Sequence, residues 1–398
     1  MPVPLHRYVL SLLAVVLPAA QIACAQAAPT AATLVQLPAP AVWLASEGQQ
    51  IYAVTAQAEL LTVQDGKAKI LAKNFSSAFI IACSGRVVGV NDAGQLQVWN
   101  GKAVETAPNK DVSPLAHPVC LPFGIVAVSR AGDLVRFDPA GGGWREAART
   151  AANALPDAQL TLADLNGAGD EVVALTRPDS ARYDHGILGD TAEATEITVF
   201  ERHGLGVLAR LNLPAPYVFE DLQARPVRLV GGKDSLAVVR SSPRGGAALA
   251  LISQTDGKLG LRATGPDFGQ THRWLAPVVG FGQLWAVKTP HIGGLLAQYT
   301  QAGDTQAGDT LKISPPFAGI SSHSIGSRNL NAAVLTAPGQ LVIPSQDHRN
   351  LMALDCRAAC RVTGKLALGG TYTSNMLLSG GQVWGGDSSG RLHGWATR

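Results

Sequence analysis

The sequence predicts an all-β fold, a β-propeller of eight four-stranded blades, with seven blades as the alternative if one long unit is divided wrongly. The first observation is a repeated pattern in which an apolar strand is followed by a turn containing Gly or Asp and then by a second apolar strand. The second is the composition: 43 glycines and 24 prolines in 398 residues, with 15% charged residues, favour short strands and many turns. The third is that no long segment has the periodicity of a helix.

The repeated units start at eight places, spaced roughly 35 to 65 residues apart. Apolar and polar residues alternate within them, and turns such as the one at Asn91–Gly94 separate the runs, which predicts antiparallel hairpins. Repeats of this length are typical of propeller blades. The eight starts are Gln49, Gly85, Gly124, Asp170, Asp234, Gly282, Gly339 and Gly381.

The two ends of the chain are predicted to complete one blade together. The last unit, from Gly381, has room for only two strands before the chain ends at Arg398. The segment Thr33–Ser46, "TLVQLPAPAVWLAS", is expected to supply the missing strands. A ring closed in this way leaves no open sheet edge, which removes a site of aggregation.

The first 25 residues have the features of a secretory signal. A weakly basic start precedes the apolar core Tyr8–Leu17, and Ala23–Ala25 fits an A-x-A cleavage site that would make Gln26 the first mature residue. We therefore expect residues 1–25 to be a signal peptide and 26–398 to be one propeller domain, in the periplasm or secreted. In the alternative interpretation Cys24 is acylated as a lipid anchor. The apolar core is too short for a membrane span, and no later segment is apolar enough.

Cleavage after residue 25 leaves four cysteines, an even number in an oxidising compartment. Cys356 and Cys360 lie between two apolar runs, and their spacing is suited to a disulfide that closes a hairpin turn. Cys83 and Cys120 each end an apolar run, so we expect them at equivalent places in neighbouring units, as a second disulfide. The Cys-x-x-x-Cys spacing is not by itself a zinc signature.

One segment resembles a known repeat. "LADLNGAGDEVVALT", Leu162–Thr176, resembles the FG-GAP/VCBS repeat, in which an Asp- and Gly-rich turn leads into an apolar strand. The wider stretch from Leu162 to Leu351 is similar to exported bacterial VCBS-repeat proteins whose function is unassigned. This resemblance implies a propeller and an exported protein more than it implies an activity.

The same turn is a weak candidate for calcium. Matched to the repeat's pattern, Asp164 and Asn166 occupy the first two ligand positions, but Ala168 offers no side-chain oxygen and Asp170 is out of register. Calcium prefers six to eight oxygen ligands, so we expect no calcium and no other cofactor. The alternative is a tight turn in which Asp164 accepts hydrogen bonds from backbone amides.

Polar residues of unusual type concentrate in loops that a propeller places on one face. We label the strands of each blade A to D from the centre of the ring outward. The D–A loops, which join one blade to the next, and the B–C loops, within a blade, then lie on the same face. Loops on a rigid scaffold often form binding sites. Adjacent strand residues point to opposite sides, so we expect at most one of Glu220 and Asp221 to face a ligand. The structural alternative is that these side chains only form hydrogen bonds with backbone groups of the loops beside a water-filled central channel. The ligand-binding candidates are His185, Asp190, Glu220, Asp221, Arg244, His272, Arg273, His291, His323 and Arg349.

The predicted function is a non-catalytic binding module for an envelope protein, a peptide or a glycan, acting as a monomer. A net charge of +3 gives no basis for nucleic-acid binding. Phosphate-binding and nucleophile-elbow motifs are absent, as are the paired cysteines of quinone-dependent dehydrogenases. One alternative is a hydrolase or lyase for polysaccharides or anionic polymers, using His272, Arg273, His291 and either Glu220 or Asp190. A further alternative is an envelope-assembly scaffold anchored through Cys24.

Overall fold

The computed structural model describes residues 32–229, 233–301 and 309–396, and nearly all of its regular structure is β-strand. The strands form eight antiparallel blades, which confirms the predicted propeller and its blade count. Each of the eight predicted starts lies at, or just before, the beginning of the second strand of a blade, counted from the centre. The predicted signal peptide, including Cys24, lies outside the described residues.

The first four blades follow the chain, each from its innermost strand outward. Blade 1 comprises Ala41–Glu47, Gln50–Thr55, Glu59–Gln64 and Lys67–Lys73. Blade 2 comprises Ile80–Cys83, Arg86–Val90, Leu96–Trp99 and Val104–Thr106. Blade 3 comprises Val119–Leu121, Gly124–Val128, Leu134–Ala140 and Gly143–Thr150. Blade 4 comprises Thr161–Ala163, Glu171–Asp179, Glu193–Phe200 and Val207–Asn212.

The remaining blades have the same order of strands. Blade 5 comprises Arg225–Arg228, Asp234–Ser242, Gly246–Thr255 and Lys258–Thr264. Blade 6 comprises Leu275–Gly280, Gln283–Lys288, Gly294–Thr300 and Lys312–Ile313. Blade 7 comprises Val334–Ala337, Gln340–Pro344, Asn350–Asp355 and Arg361–Ala367. Blade 8 comprises Leu377–Ser379, Gln382–Gly386, Arg391–Ala396 and Ala32–Gln36. The short elements outside this pattern are Gly186–Leu188, a 3₁₀ turn, and the strands Val218–Phe219, Asp309–Thr310 and Phe317–Ile320.

The innermost strands pack side by side around a central axis. Contacts between them run from each blade to the next, and blades 3 and 4 meet through a parallel bridge between His117 and Gln159. The backbone of His117 forms both bonds of this bridge, donating to the Ala158 carbonyl at 3.1 Å and accepting from Leu160 at 3.0 Å. The ring of inner strands therefore encloses an axial cavity.

The second and third strands of each blade are buried on both faces, because each blade packs between two others. In blade 5 the strand Gly246–Thr255 has seven consecutive buried residues, and its alanines allow neighbouring blades to approach closely. The outermost strands alternate between exposed and half-buried positions, as in Lys67–Lys73. Because burial is greatest in the middle strands and decreases toward the outermost strand, the second strands appear in the sequence as continuous apolar runs.

Both ends of the chain contribute to blade 8, as predicted, but the division of the N-terminal segment differs. Ala32–Gln36 pairs with Arg391–Ala396 and supplies the outermost strand. The rest of the segment turns away at Leu37–Pro40 and enters blade 1 as its innermost strand. Only one strand was missing, because Leu377–Ser379, just before the last predicted start, is already the inner strand of blade 8.

Blades 4 and 5 are joined by a strand that belongs to neither pattern. Val218–Phe219 lies between the two blades: Phe219 pairs with Ala194 of blade 4, and Val218 pairs with Ser241 of blade 5. The two residues that follow, Glu220 and Asp221, are thereby inserted between the blades. Among the described residues no helix is long and apolar enough to cross a membrane.

Both predicted disulfides are present. Cys83 and Cys120 join the inner strands of blades 2 and 3, with their Cα atoms 6.4 Å apart. Cys356 and Cys360 close the turn between the two outer strands of blade 7. The first links two blades, whereas the second is confined to one hairpin.

We expect the two disulfides to differ in their contribution to stability. Their cysteines are 37 and 4 residues apart. The loop-closure entropy model then gives about 4 kcal/mol for the longer loop and about 2 kcal/mol for the shorter. Urea unfolding of Cys83→Ala/Cys120→Ala and of Cys356→Ala/Cys360→Ala measures the two losses. Equal losses, or a larger loss at Cys356–Cys360, would contradict this ranking.

Candidate functional site

The D–A and B–C loops share one face, and they contact each other across blades. Gly326, in the loop that leads into blade 7, donates its amide to the Ile187 carbonyl in the B–C loop of blade 4 at 2.9 Å. Gln346, in the B–C loop of blade 7, donates through Nε2 to the Pro290 carbonyl of blade 6 at 3.0 Å. The loops that carry the predicted candidates therefore form one continuous surface over blades 4 to 7.

Six side chains at the centre of this surface form what we call the basin. The B–C loop of blade 4 supplies three of them, the loop leading into blade 6 supplies two, and the B–C loop of blade 6 supplies one. They are Tyr183, Asp184, His185, His272, Arg273 and His291.

A fully buried carboxylate fixes His185 from below. Glu220 is 0% exposed; one of its oxygens contacts Nδ1 of His185, and the other accepts a hydrogen bond from the Ser241 hydroxyl. The Glu220 carbonyl also accepts from the Trp274 indole at 2.8 Å. Burial raises the pKa of Glu220, while His185 and Ser241 oppose that rise. With Glu220 ionised, Nδ1 of His185 is the donor; in the neutral imidazole Nε2 is then an acceptor, and in the protonated imidazole it is a second donor.

His272 is held in an unusual backbone conformation. Its φ is 55°, in the left-handed region that non-glycine residues rarely adopt. Its amide donates to the Tyr183 hydroxyl at 2.8 Å, and its ring lies 5.1 Å from that of His185. The side chain is 45% exposed, and its Nε2 is 3.4 Å from Asp184. Strained residues concentrate at functional sites, and this one presents an imidazole to solvent.

His291 lies on the blade 6 side of the basin. Burial lowers its pKa, and the charges of His185 and Arg273 lower it further. Its Nδ1 is buried and has no hydrogen-bond partner among the described residues. His291 is therefore favoured in its neutral form.

An acidic cluster lies beneath the basin, and sequence analysis missed its main members. Arg328 bridges two carboxylates, with Nε 2.7 Å from Asp157 and Nη2 3.0 Å from Asp190. Glu193 is 3% exposed, and its pKa is raised well above the usual value by burial and then by the neighbouring carboxylates, Glu220 first. The left-handed Gly189 allows this approach, because a Cβ there would lie 2.5 Å from the Arg328 guanidinium. Arg328 is in the same loop as His323, but nothing local indicated its partners.

The other candidates are not part of the basin. Asp221, also 0% exposed, faces away from His185, and its carboxylate pairs with Arg225 at 2.8 Å. His323 is 2% exposed, and its ring packs against Trp274 with centroids 4.7 Å apart. Arg244 and Arg349 are exposed at the B–C turns of blades 5 and 7, where neither forms an ion pair with a described residue. Glu220 and Asp221 do point to opposite sides, but neither reaches the surface.

The turn considered for calcium is closed by its own hydrogen bonds. Asp164 accepts at one oxygen from the amides of Gly167 and Gly169, at 2.9 and 3.2 Å. Asn166 accepts from Ala168 at 2.6 Å and donates to Glu171. Asp170 is exposed at the end of the turn. One carboxylate oxygen of Asp164 and the side-chain amide of Asn166 are thus engaged within the turn.

The comparisons with known proteins agree with this fold. No protein-family model and no curated protein matches the chain. Among solved structures, Sqt1 of Saccharomyces cerevisiae is similar with a TM-score of 0.61 and 11% identity, over 92% of this chain and 98% of that one. BamB from Moraxella catarrhalis has a TM-score of 0.59 and 10% identity, over 92% and 98%. The computationally designed Ika8 protein has a TM-score of 0.55 and 11% identity, over 91% and 99%. The chain is therefore a β-propeller protein; at these identities the similarity shows the fold alone.

The Ser241–Glu220 hydrogen bond is expected to stabilise the fold measurably. Ser241→Ala removes a donor from a buried carboxylate oxygen, which costs about 1–3 kcal/mol. The matched control is Ser235→Ala on the same strand, whose hydroxyl bonds only the neutral Ser253 at 2.8 Å. Urea unfolding should show a smaller loss for the control. A loss at Ser241 no greater than at Ser235 would mean that Glu220 does not depend on this bond.

Acid should destabilise the protein through its buried histidines. Burial lowers the pKa of His323 from 6.5 to about 4. Between those values the unfolded state binds more protons, so stability falls as the pH drops from 6.5 to about 4, by up to about 1.4 kcal/mol per pH unit for each such histidine. The raised pKa values of Glu193 and Glu220 act in the opposite direction, so the comparison is between variants.

The test is urea unfolding of the parent and of His323→Asn at several pH values. The variant should lose less stability than the parent between pH 6.5 and 4. His203→Asn, which replaces an exposed histidine, is the control and should follow the parent. The expectation fails if His323→Asn also follows the parent throughout this range.

Proposed function

We propose that this protein is an exported, non-catalytic binding module and that the basin face contacts a partner protein. The observation that carries the proposal is the exposure of two large aliphatic side chains on this face, Ile292 at 58% and Ile325 at 68%. Ile292 directly follows His291, and Ile325 precedes Gly326, which is bonded to the basin loop of blade 4. Protein interfaces combine apolar, aromatic and arginine side chains in this way.

The placement of the carboxylates supports binding over catalysis. Glycoside hydrolysis uses two carboxyl groups that reach the substrate. Here Glu220 and Glu193 are buried, and Asp190 is paired with Arg328. Asp184 is the open carboxylate of the basin, with 79% of its side chain exposed, and it lies against His272. Asp184 and Asp190 are thus the exposed carboxylates among those named here, at 79% and 46%, and each already lies against a basic side chain, which supports a polar contact surface.

The hydrolase or lyase alternative has one observation in its favour. His185 is oriented by the buried Glu220 and lies within 5.1 Å of His272, as an imidazole acting as a general base would be. An enzyme of this kind would lose turnover of an anionic polysaccharide in His185→Asn while remaining folded. A binding module would show no turnover to lose.

Export is part of the proposal and has separate support. The two disulfides suit an oxidising compartment. The FG-GAP/VCBS-like turn at Asp164–Gly169 supports kinship with exported repeat proteins. The mass of the mature protein from its native host tests this: a chain that starts at Gln26 supports soluble export, whereas an acylated Cys24 supports the anchored scaffold. A retained Met1 or residues 2–23 would contradict both.

We expect the basin face to crosslink to a defined partner. The photoreactive residue p-benzoylphenylalanine would replace Ile325 or Ile292 in the native host. Leu208 and Val362, which are 47% and 45% exposed on outermost strands, serve as matched controls. The proposal predicts the same single adduct from the two basin-face positions and none from the controls. The adduct should also disappear when Arg273→Glu is added.

Two results would contradict this interface. Equal adducts from all four positions would indicate non-specific capture. No adduct from Ile292 or Ile325, with the protein folded and correctly localised, would mean that this face is not the contact surface.

A further inference from the structure

The axial cavity is a second candidate site, separate from the basin. Its volume is about 450 Å³, which is within the range of small-molecule sites. Inner strands of six blades line it, and most of the side chains are apolar, including Trp43, Ile80, Val278 and Met376. No group of the basin contributes to its wall.

Among the described residues one cationic side chain lines this cavity, Arg225, at the start of the inner strand of blade 5. It is 4% exposed and only partly paired. Its Nη1 donates to Asp221 at 2.8 Å and to the Gln223 carbonyl at 3.2 Å. Its Nε and Nη2 are buried and have no hydrogen-bond partner in the described part of the chain.

Those two nitrogens form the side of a guanidinium that binds a carboxylate in two parallel hydrogen bonds. Arg136 shows the same geometry elsewhere in the chain, with its Nε and Nη2 each 2.9 Å from an oxygen of Asp138. Asp221 does not take this role for Arg225: it bonds Nη1 alone, and its oxygens also accept from the amides of Leu222, Gln223 and Val239. The bidentate edge of Arg225 is thus unpaired among the described residues, and because both nitrogens are buried, a ligand in the cavity reaches this edge only when the guanidinium turns toward it.

We propose that the axial cavity binds a small organic monocarboxylate, with its carboxylate on the Nε and Nη2 atoms of Arg225 and its apolar body against the inner strands. A single charge is expected, since Arg225 is the one cation that the described residues place in the wall and it already faces Asp221. His117 also lines the cavity but adds no charge at neutral pH, because burial lowers its pKa to about 4. Dianionic phosphates are disfavoured, because the described residues place no second positive charge in the cavity wall to balance them.

Isothermal titration calorimetry on the mature chain tests this with acid and amide pairs. The probes are butyrate, octanoate and 4-phenylbutyrate, each against its amide, and the N-acetylated tripeptide Ala-Leu-Phe with a free or an amidated C-terminus. At least one acid should bind with 1:1 stoichiometry and be at least about tenfold tighter than its amide. Binding of the small acids alone would identify free carboxylic acids; binding of the free tripeptide alone would identify a peptide terminus, which also meets the proposal's chemistry.

Two variants separate the site from general stability. Arg225→Lys keeps the charge but loses the bidentate edge, and it should weaken acid binding about tenfold or more. Ala333→Leu narrows the cavity without changing Arg225 or Asp221, and should weaken binding while the protein stays folded. Arg136→Lys is the control and should bind as the parent does.

The proposal is overturned if no acid binds better than its amide. It is also overturned if a folded Ala333→Leu variant binds as tightly as the parent, because the ligand would then lie elsewhere. Neither result bears on the basin, whose partner is tested by crosslinking at Ile325 and Ile292.

Discussion

Two adjacent buried carboxylates, Glu220 and Asp221, are the constraint on which this face of the propeller depends. Both are 0% exposed, and a buried charge is tolerated only when its oxygens are satisfied. Glu220 is satisfied by His185 and Ser241, from two different blades. Asp221 is satisfied by Arg225 and by backbone amides of blade 5. The strand Val218–Phe219 inserts both residues between blades 4 and 5.

The two carboxylates support different parts of this face. Because they point to opposite sides, Glu220 orients an imidazole of the basin, whereas Asp221 occupies one side of the arginine in the axial cavity. Removal of either would leave buried polar groups without partners, which costs more than the bond itself contributes. The basin and the cavity are therefore separate candidate sites that share one structural support.

The fold was largely predictable from the sequence, because it follows from local patterns. The second strands are apolar runs that begin at, or within two residues after, a Gly or Asp. Cys356 and Cys360 are near enough in sequence for their pairing to be inferred. The loops predicted to share a face do so, since strand order alone fixes that. The division of Thr33–Ser46 was missed because nothing in the segment shows that the chain changes blade near Leu37.

The detailed site was not predictable, because it depends on distances between blades. Arg328 contacts Asp157 and Asp190, which are 171 and 138 residues away in sequence. Glu193 begins a strand with a typical pattern, and only the assembled loops surround it with carboxylates. Arg225 was indistinguishable from any arginine at a strand start until its partners were known. Candidate residues could be placed on a face, but their burial could not.

Hydrogen–deuterium exchange of Glu220→Ala measures how far the buried Glu220 side chain supports this face of the propeller. If the Glu220 side chain supports the basin, amides in residues 183–190 and 269–274 should exchange faster than in the parent protein. The substitution removes the carboxylate that contacts His185, and the His272 ring lies against that of His185 with centroids 5.1 Å apart. Amides in blades 1 and 2 should be unchanged. Unchanged exchange in both basin segments, or an equal increase in every blade, would contradict the account, because Glu220 would then have no specific role in holding this face together.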